Sequence, residues 1–364
     1  MPQGGLWSFC HSFQIIFGSN GILLESRSPL CKIVAPIRKG IHKGIEHEKC
    51  FLAASVIVAA AGSASAADMA VKARPVVAPV VGCGVNPITA SNNQISLQYA
   101  GIHKEYEEYN SPGPFVDPAL PVNAVLDTEK GWVHGVSVTG SAMFNLGAFC
   151  NAYVFGRGSY FDGKTDYWQP LGRLGGQSNA KIWEGDFRLG KGFDIAPNFM
   201  LTPYLGLGTR SWDRDVCQAG PCVGGGLHEN YSHSYVGAGL MAQFAMTPNL
   251  VLTASGLVGS TFDSTIKGGP IANGPQTITN FQAGLGNSAI YKVEGSLDYA
   301  FTQNLHGNLG VEYTEFRYGQ SAPFVLQTNG GLGDEPASRT RNVTVRAGIG
   351  WAFGPAPTPV VAKY

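Results

Sequence analysis

From Asn92 onward the chain alternates apolar and polar residues with a period of two, the pattern of a strand whose two faces meet different surroundings. Between Asn287 and Phe301, Tyr291, Val293, Leu297, Tyr299 and Phe301 share one face while Lys292, Glu294, Ser296 and Asp298 share the other. In the segment Arg341 to Phe353, Val343, Val345, Ile349, Trp351 and Phe353 oppose Asn342, Thr344 and Arg346. The same reading predicts ten strands near 93–104, 130–144, 148–161, 182–194, 199–212, 230–245, 249–264, 288–302, 305–319 and 339–353. The first of these alternates weakly, so eight or twelve strands stay open.

The connections alternate in length. "NLG" at 145–147, "IAPN" at 195–198, "MTPN" at 246–249 and "TQN" at 302–304 are tight, and their Asn and Pro-Asn residues are turn chemistry. The intervening stretches, roughly 105–129, 162–181, 213–229, 265–287 and 320–338, are long. A soluble β-sandwich has no reason to separate short from long loops so strictly. An outer-membrane barrel does, with short periplasmic turns and long external loops. The fold expected over residues 92–353 is therefore all-β, a closed antiparallel transmembrane β-barrel.

The chain ahead of the strands fits export to that location. Cys50–Ala61 is apolar but shorter than the roughly 20 residues of a spanning helix, and Ser65-Ala66 completes a small-residue cleavage site. Residues 1–66 are expected to be a presequence and signal peptide read by the Sec pathway, cut between Ala66 and Ala67, with the true translation start downstream of Met1. Residues 67–91, rich in Pro and Val, read as an extended periplasmic linker. Residues 354–364 form a C-terminal tail. Composition agrees: charged residues are 14% against a globular average of about 25%, and 49 glycines accompany 11% aromatics. The formal net charge is zero, which argues against a nucleic-acid partner.

"SASAADMAVKARPVV", "PYLGLGTRSW" and the tail "AGIGWAFGPAPTPVVAKY" resemble small outer-membrane β-barrel proteins of alphaproteobacteria, porin-like surface proteins. The resemblance implies an antiparallel barrel in a Gram-negative outer membrane, inserted by the outer-membrane assembly machinery, with loops exposed at the surface. Its surroundings would be outer-membrane lipid and lipopolysaccharide.

Given a barrel, the polar faces point inward. Lumen candidates are Arg157, Glu184, Asp186, Arg188, Arg210, Lys292, Glu294, Asp298, Glu312 and Arg346, five acids and five bases suited to pairing between strands. Their role is either packing of a narrow interior or the lining of a small pore. Trp132, Trp183 and Trp212 at one set of strand ends, with Trp351 and Phe353 at the other, are expected to form aromatic girdles at the two membrane surfaces. Of seven cysteines, four follow Ala66. Cys83 and Cys150 belong to the periplasmic side and Cys217 and Cys222 to one external loop, so the expected disulfides are Cys83–Cys150 and Cys217–Cys222, with free thiols as the alternative.

Nothing points firmly to catalysis, and the expectation is an envelope protein or narrow non-specific pore rather than an enzyme. The alternative is a rim-site hydrolase, because omptin-type proteases use carboxylates and a His–Asp pair at the barrel mouth. Asp213, Asp215, His233, His103, Glu105 and Glu107 would be its candidates. No metal-ligand spacing occurs, and the glycines of "GLGTR" and "GGGLH" precede no helix, so no cofactor is expected. Mass spectrometry of the membrane-extracted protein should find Ala67 as its N-terminus; a mature chain retaining Cys10 or Cys31 would rule out the export signal.

Overall fold

The computed structural model describes residues 13–18, 21–26 and 86–353, apart from 115, 170–173, 220–226, 270, 274–275, 279 and 326–329. Of 13–18, 21–26, 174, 217–219, 271–273 and 276–278 it describes the backbone alone. The cleavage site Ala66–Ala67, most of the expected linker, Cys83, Cys222 and the tail 354–364 lie outside the described residues. Phe13–Gly18 and Gly21–Ser26 form a two-stranded sheet of their own.

Ten long strands make the barrel: β1 Gln94–Tyr109, β2 Val125–Leu146, β3 Phe149–Gln169, β4 Leu174–Lys191 and β5 Phe199–Ala219. They are followed by β6 His228–Thr247, β7 Leu250–Gly268, β8 Ala289–Ala300, β9 Leu305–Tyr318 and β10 Ser338–Ala352. Each pairs antiparallel with its sequence neighbours, and β10 returns to β1 from Ser338↔Glu108 to Ala352↔Gln94. The ladder is closed, so the barrel has no free edge.

The two faces are inverted relative to a water-soluble protein. On β1, Ile95, Leu97 and Tyr99 are more than half exposed, whereas Ala100, Ile102, Lys104 and Tyr106 are fully buried inside. Val136 and Val138 on β2, Leu205 on β5, Val258 on β7 and Ile349 on β10 continue the exposed apolar belt. So large a continuous apolar surface is unstable in water and is what a bilayer requires of a spanning barrel. Trp132 and Trp183 lie outward at the long-loop edge of the belt, Trp351 and Phe353 outward at the short-turn edge.

Trp212 corrects the girdle assignment. It is 2% exposed and points into the lumen. The reason is parity: Arg210, Trp212 and Arg214 share one face of β5, and all three are buried. A strand without a bulge cannot send Arg210 inward and Trp212 outward.

Two boundaries also differ from expectation. β1 to β7 run further toward the long-loop end than the alternation predicts, because outside the bilayer both faces can be polar while the backbone ladder continues. Outward ion pairs accompany it there, Arg341 to Glu107 at 2.8 Å and Arg339 to Glu315 at 2.8 Å. At the short-turn end, the last part of the expected extended linker is instead a helix, α1 Pro87–Ser91. Asn86 caps it, accepting from the Thr89 N–H at 2.8 Å while Thr89 Oγ1 accepts from the Asn86 N–H at 2.9 Å, and Pro87 opens its first turn. Ile88 is buried.

Val138 lies mid-belt on the lipid face, while Ser141 on the same strand lines an interior cavity. Val138→Arg should cost about 2–4 kcal/mol of folding free energy in lipid, and Ser141→Arg much less. Equal losses in a urea titration in lipid vesicles would show that inside and outside are misassigned.

Candidate functional site: the filled lumen

Interior side chains stack in layers along the barrel axis. Nearest the short turns, a cavity of about 110 Å³ is lined by small polar residues, among them Ser96, Thr139 and Ser141. Residues beside α1 close over it: Asn92 Nδ2 donates to Gln243 Oε1 at 2.7 Å, and Gln94 Nε2 donates to Asp298 Oδ2 at 2.8 Å. Asn308 Nδ2 donates to the same Asp298 oxygen at 2.6 Å, and His306 Nδ1 lies 2.7 Å from Asp298 Oδ1.

The middle layer is a network of charges that crosses the lumen. Arg157 on β3 donates through Nη1 to Glu294 on β8 at 2.8 Å and through Nη2 to Asp186 on β4 at 3.2 Å, and it also pairs with Glu312 on β9. Arg188 donates to Asp186 at 2.7 Å and to Glu294 at 2.9 Å. Lys292 Nζ lies 3.5 Å from Asp186 and 3.7 Å from Glu312; Arg346 reaches Glu312 at 3.4 Å. Arg210 pairs with Glu184 at the upper margin. Nine of the ten lumen candidates thus meet in this layer and its margin, and Asp298 sits one layer below. Each buried carboxylate here has at least one cation, which such burial requires.

Above lies a tier of rings. Trp212 stacks on Tyr231 with centroids 5.2 Å apart, Tyr231 on Tyr318 at 5.6 Å, and Lys104 Nζ sits 3.3 Å over the Trp212 ring. His233 belongs to this tier, its Nδ1 2.7 Å from Tyr318 Oη and its ring 4.6 Å from Phe316. At the long-loop mouth, Arg214 is shared by three carboxylates: Glu229 at 2.5 Å, Glu108 at 2.9 Å and Glu129 at 3.2 Å. Tyr231 Oη donates to Glu335 at 2.5 Å. Burial, together with the Glu108 and Glu229 carboxylates, holds the Glu335 carboxyl well above the usual carboxylate range.

Sequence reading missed this mouth cluster because its members fall in segments taken as loops. Parity was the available signal: 104, 106 and 108 continue the inward register of Ile102, and 214 continues that of Arg210. The rim candidates separate. Asp213 and Asp215 share the outward face of β5, contacting Asn230 at 2.8 Å and His228 at 2.8 Å, while His233 points inward. Glu105 and Glu107 contact Arg341 on the outside, and His103 stacks edge-on against the outward Trp132. These groups do not converge on one site. No trio of His, Cys, Asp or Glu among the described residues has the geometry to hold a metal. Cys150 is disulfide-bonded; Cys222 and its expected partner's side chain at Cys217 are outside the described atoms, as is Cys83.

No family model and no curated protein matches the chain. Solved structures do. The outer membrane protease OmpT of Escherichia coli aligns at a TM-score of 0.48 and 11% identity, over 71% of this chain and 95% of that one. The toluene transporter TodX of Pseudomonas putida aligns at 0.30 and 10%, over 73% and 91%. The attachment invasion locus protein Ail of Yersinia pestis aligns at 0.24 and 9%, over 72% and 99%.

Removing one member of a buried ion network strands the others. Arg157→Met should destabilise the folded barrel by about 3–5 kcal/mol. Combined with Glu312→Gln it should cost less than the sum of the single changes by about 0.5–3 kcal/mol. Additive losses in urea unfolding would show that the two are not coupled.

Proposed function

We propose that the chain is a closed outer-membrane barrel serving as a surface and structural protein of the Gram-negative envelope, and that it is not an enzyme. The observation that carries this reading is the charge network, which runs from β3 and β4 across the lumen to β8, β9 and β10. A ten-stranded interior is narrow beside the 16–18 strands of porins with aqueous channels, and here side chains occupy its middle. At its upper margin, beside Arg157, Glu184 and Arg210, a cavity of about 20 Å³ remains, room for roughly one water. A plugged interior holds the wall in register and leaves the loops as the variable surface.

The same reading includes export through the Sec pathway after cleavage at Ala66, insertion by the outer-membrane assembly machinery, and contact with lipid and lipopolysaccharide at the belt and rim. The segments that resemble alphaproteobacterial porin-like surface proteins support that placement. Refolded protein, with insertion verified by protease protection, should give no discrete conductance steps in a planar bilayer. Stable steps of one size would overturn the plugged scaffold in favour of a narrow pore.

A further inference from the structure

The long-loop mouth holds a cavity of about 320 Å³ whose lining is acidic and apolar together. Glu108, Asp127, Glu229 and Glu335 face it, each 7% exposed or less, beside Tyr167 and Val116. Arg214 is the cation in the lining, and Glu108, Glu129 and Glu229 already share it. Asp127 and Glu335 enter no ion pair among the described residues. Asp127 Oδ2 accepts from Tyr167 Oη at 3.1 Å, but its Oδ1 is buried without any hydrogen-bond partner. A buried carboxylate that lines a cavity and has no cation of its own is a costly arrangement that a ligand with a positive donor relieves.

The chemistry of that ligand follows from the walls. The carboxylates lack the convergence of a metal site, and the cavity is larger than an ion needs. Tyr167, Pro114, Val116 and Leu126 offer aliphatic and aromatic surface on which an ammonium or guanidinium group and a short carbon chain can both rest. Arg214 backs onto the Tyr106, Trp212 and Tyr231 rings at 5.0–5.2 Å, so the ring tier lies behind the cation of the lining. We propose that this cavity binds a small organic cation, a primary amine or guanidinium on a short aliphatic body, with its charged head between Asp127 and Glu335. The site is one for capture at the outer surface, independent of whether the lumen below conducts.

Agmatine, which carries both groups, is the probe. Calorimetric titration of the full-length folded barrel in zwitterionic detergent, at neutral pH and constant ionic strength, should give saturable binding. Asp127→Asn and Glu335→Gln should each weaken it at least tenfold, and Asp213→Asn on the outer wall should leave it unchanged. Both mouth substitutions keep the shape of a buried carboxyl that enters no ion pair among the described residues, so folding should survive; heat-modifiable gel mobility checks each one. If one fails to fold, the other decides. No saturable heat with the unaltered protein overturns the proposal, since protons then satisfy the carboxylates instead. Unchanged affinity in whichever mouth variant folds overturns it as well.

Discussion

The constraint on which the rest depends is that hydrocarbon offers no hydrogen-bond partner to a backbone amide. Every N–H and C=O at membrane depth must therefore be satisfied by a neighbouring strand, and a sheet achieves this on both edges only by closing. The β10–β1 ladder, fifteen residue pairs from Ser338↔Glu108 to Ala352↔Gln94, is that closure. Once it exists, alternate residues must divide between lipid and lumen. The apolar belt and the charged interior are then two consequences of one backbone geometry.

Closure at ten strands fixes the width of the interior, and width decides what fills it. Charged side chains are long enough to reach from one wall to the other. Arg157 and Arg188 stand on adjacent strands and Glu294 on the far side, so the network ties walls that have no backbone contact with each other. Buried ion pairs of this kind are weak sources of net stability against an apolar alternative, because desolvation offsets much of the attraction. Their contribution is to penalise wrong registers: a one-residue slip of β8 would send Lys292 and Glu294 into lipid and take one partner each from Asp186, Arg157 and Arg188. The network specifies the fold more than it strengthens it.

That division also explains what the sequence makes legible. Inside the bilayer, lipid and lumen impose opposite demands on successive residues, so Tyr291 to Phe301 can be read as a strand with known faces. Beyond the bilayer both faces meet water or loops, alternation fades, and the outer parts of β1 to β7 look like loop in the sequence although their ladders are intact. The mouth cluster around Arg214 was hidden for that reason. Trp212 is misleading for another: a tryptophan near a strand end suggests a girdle by residue type, whereas the position of Arg210 two residues earlier fixes its face. Helix α1 was concealed by the Pro- and Val-rich composition around it, although Asn86-Pro87 with Thr89 is a recognisable cap.

The layers differ in charge balance, and the difference has a physical origin. In the middle of the bilayer an uncompensated charge has neither water nor counter-ion within reach, so the layer of Arg157, Asp186 and Glu312 is paired throughout. At the short-turn end, small polar groups around Asp298 complete their hydrogen bonds with one another and with the residues beside α1. Among the described residues, only the long-loop mouth, where solutes have access, holds more buried carboxylates than cations. An imbalance is tolerable there because the missing partner can arrive from outside, and the Trp212–Tyr231–Tyr318 tier keeps that partner from the balanced network beneath.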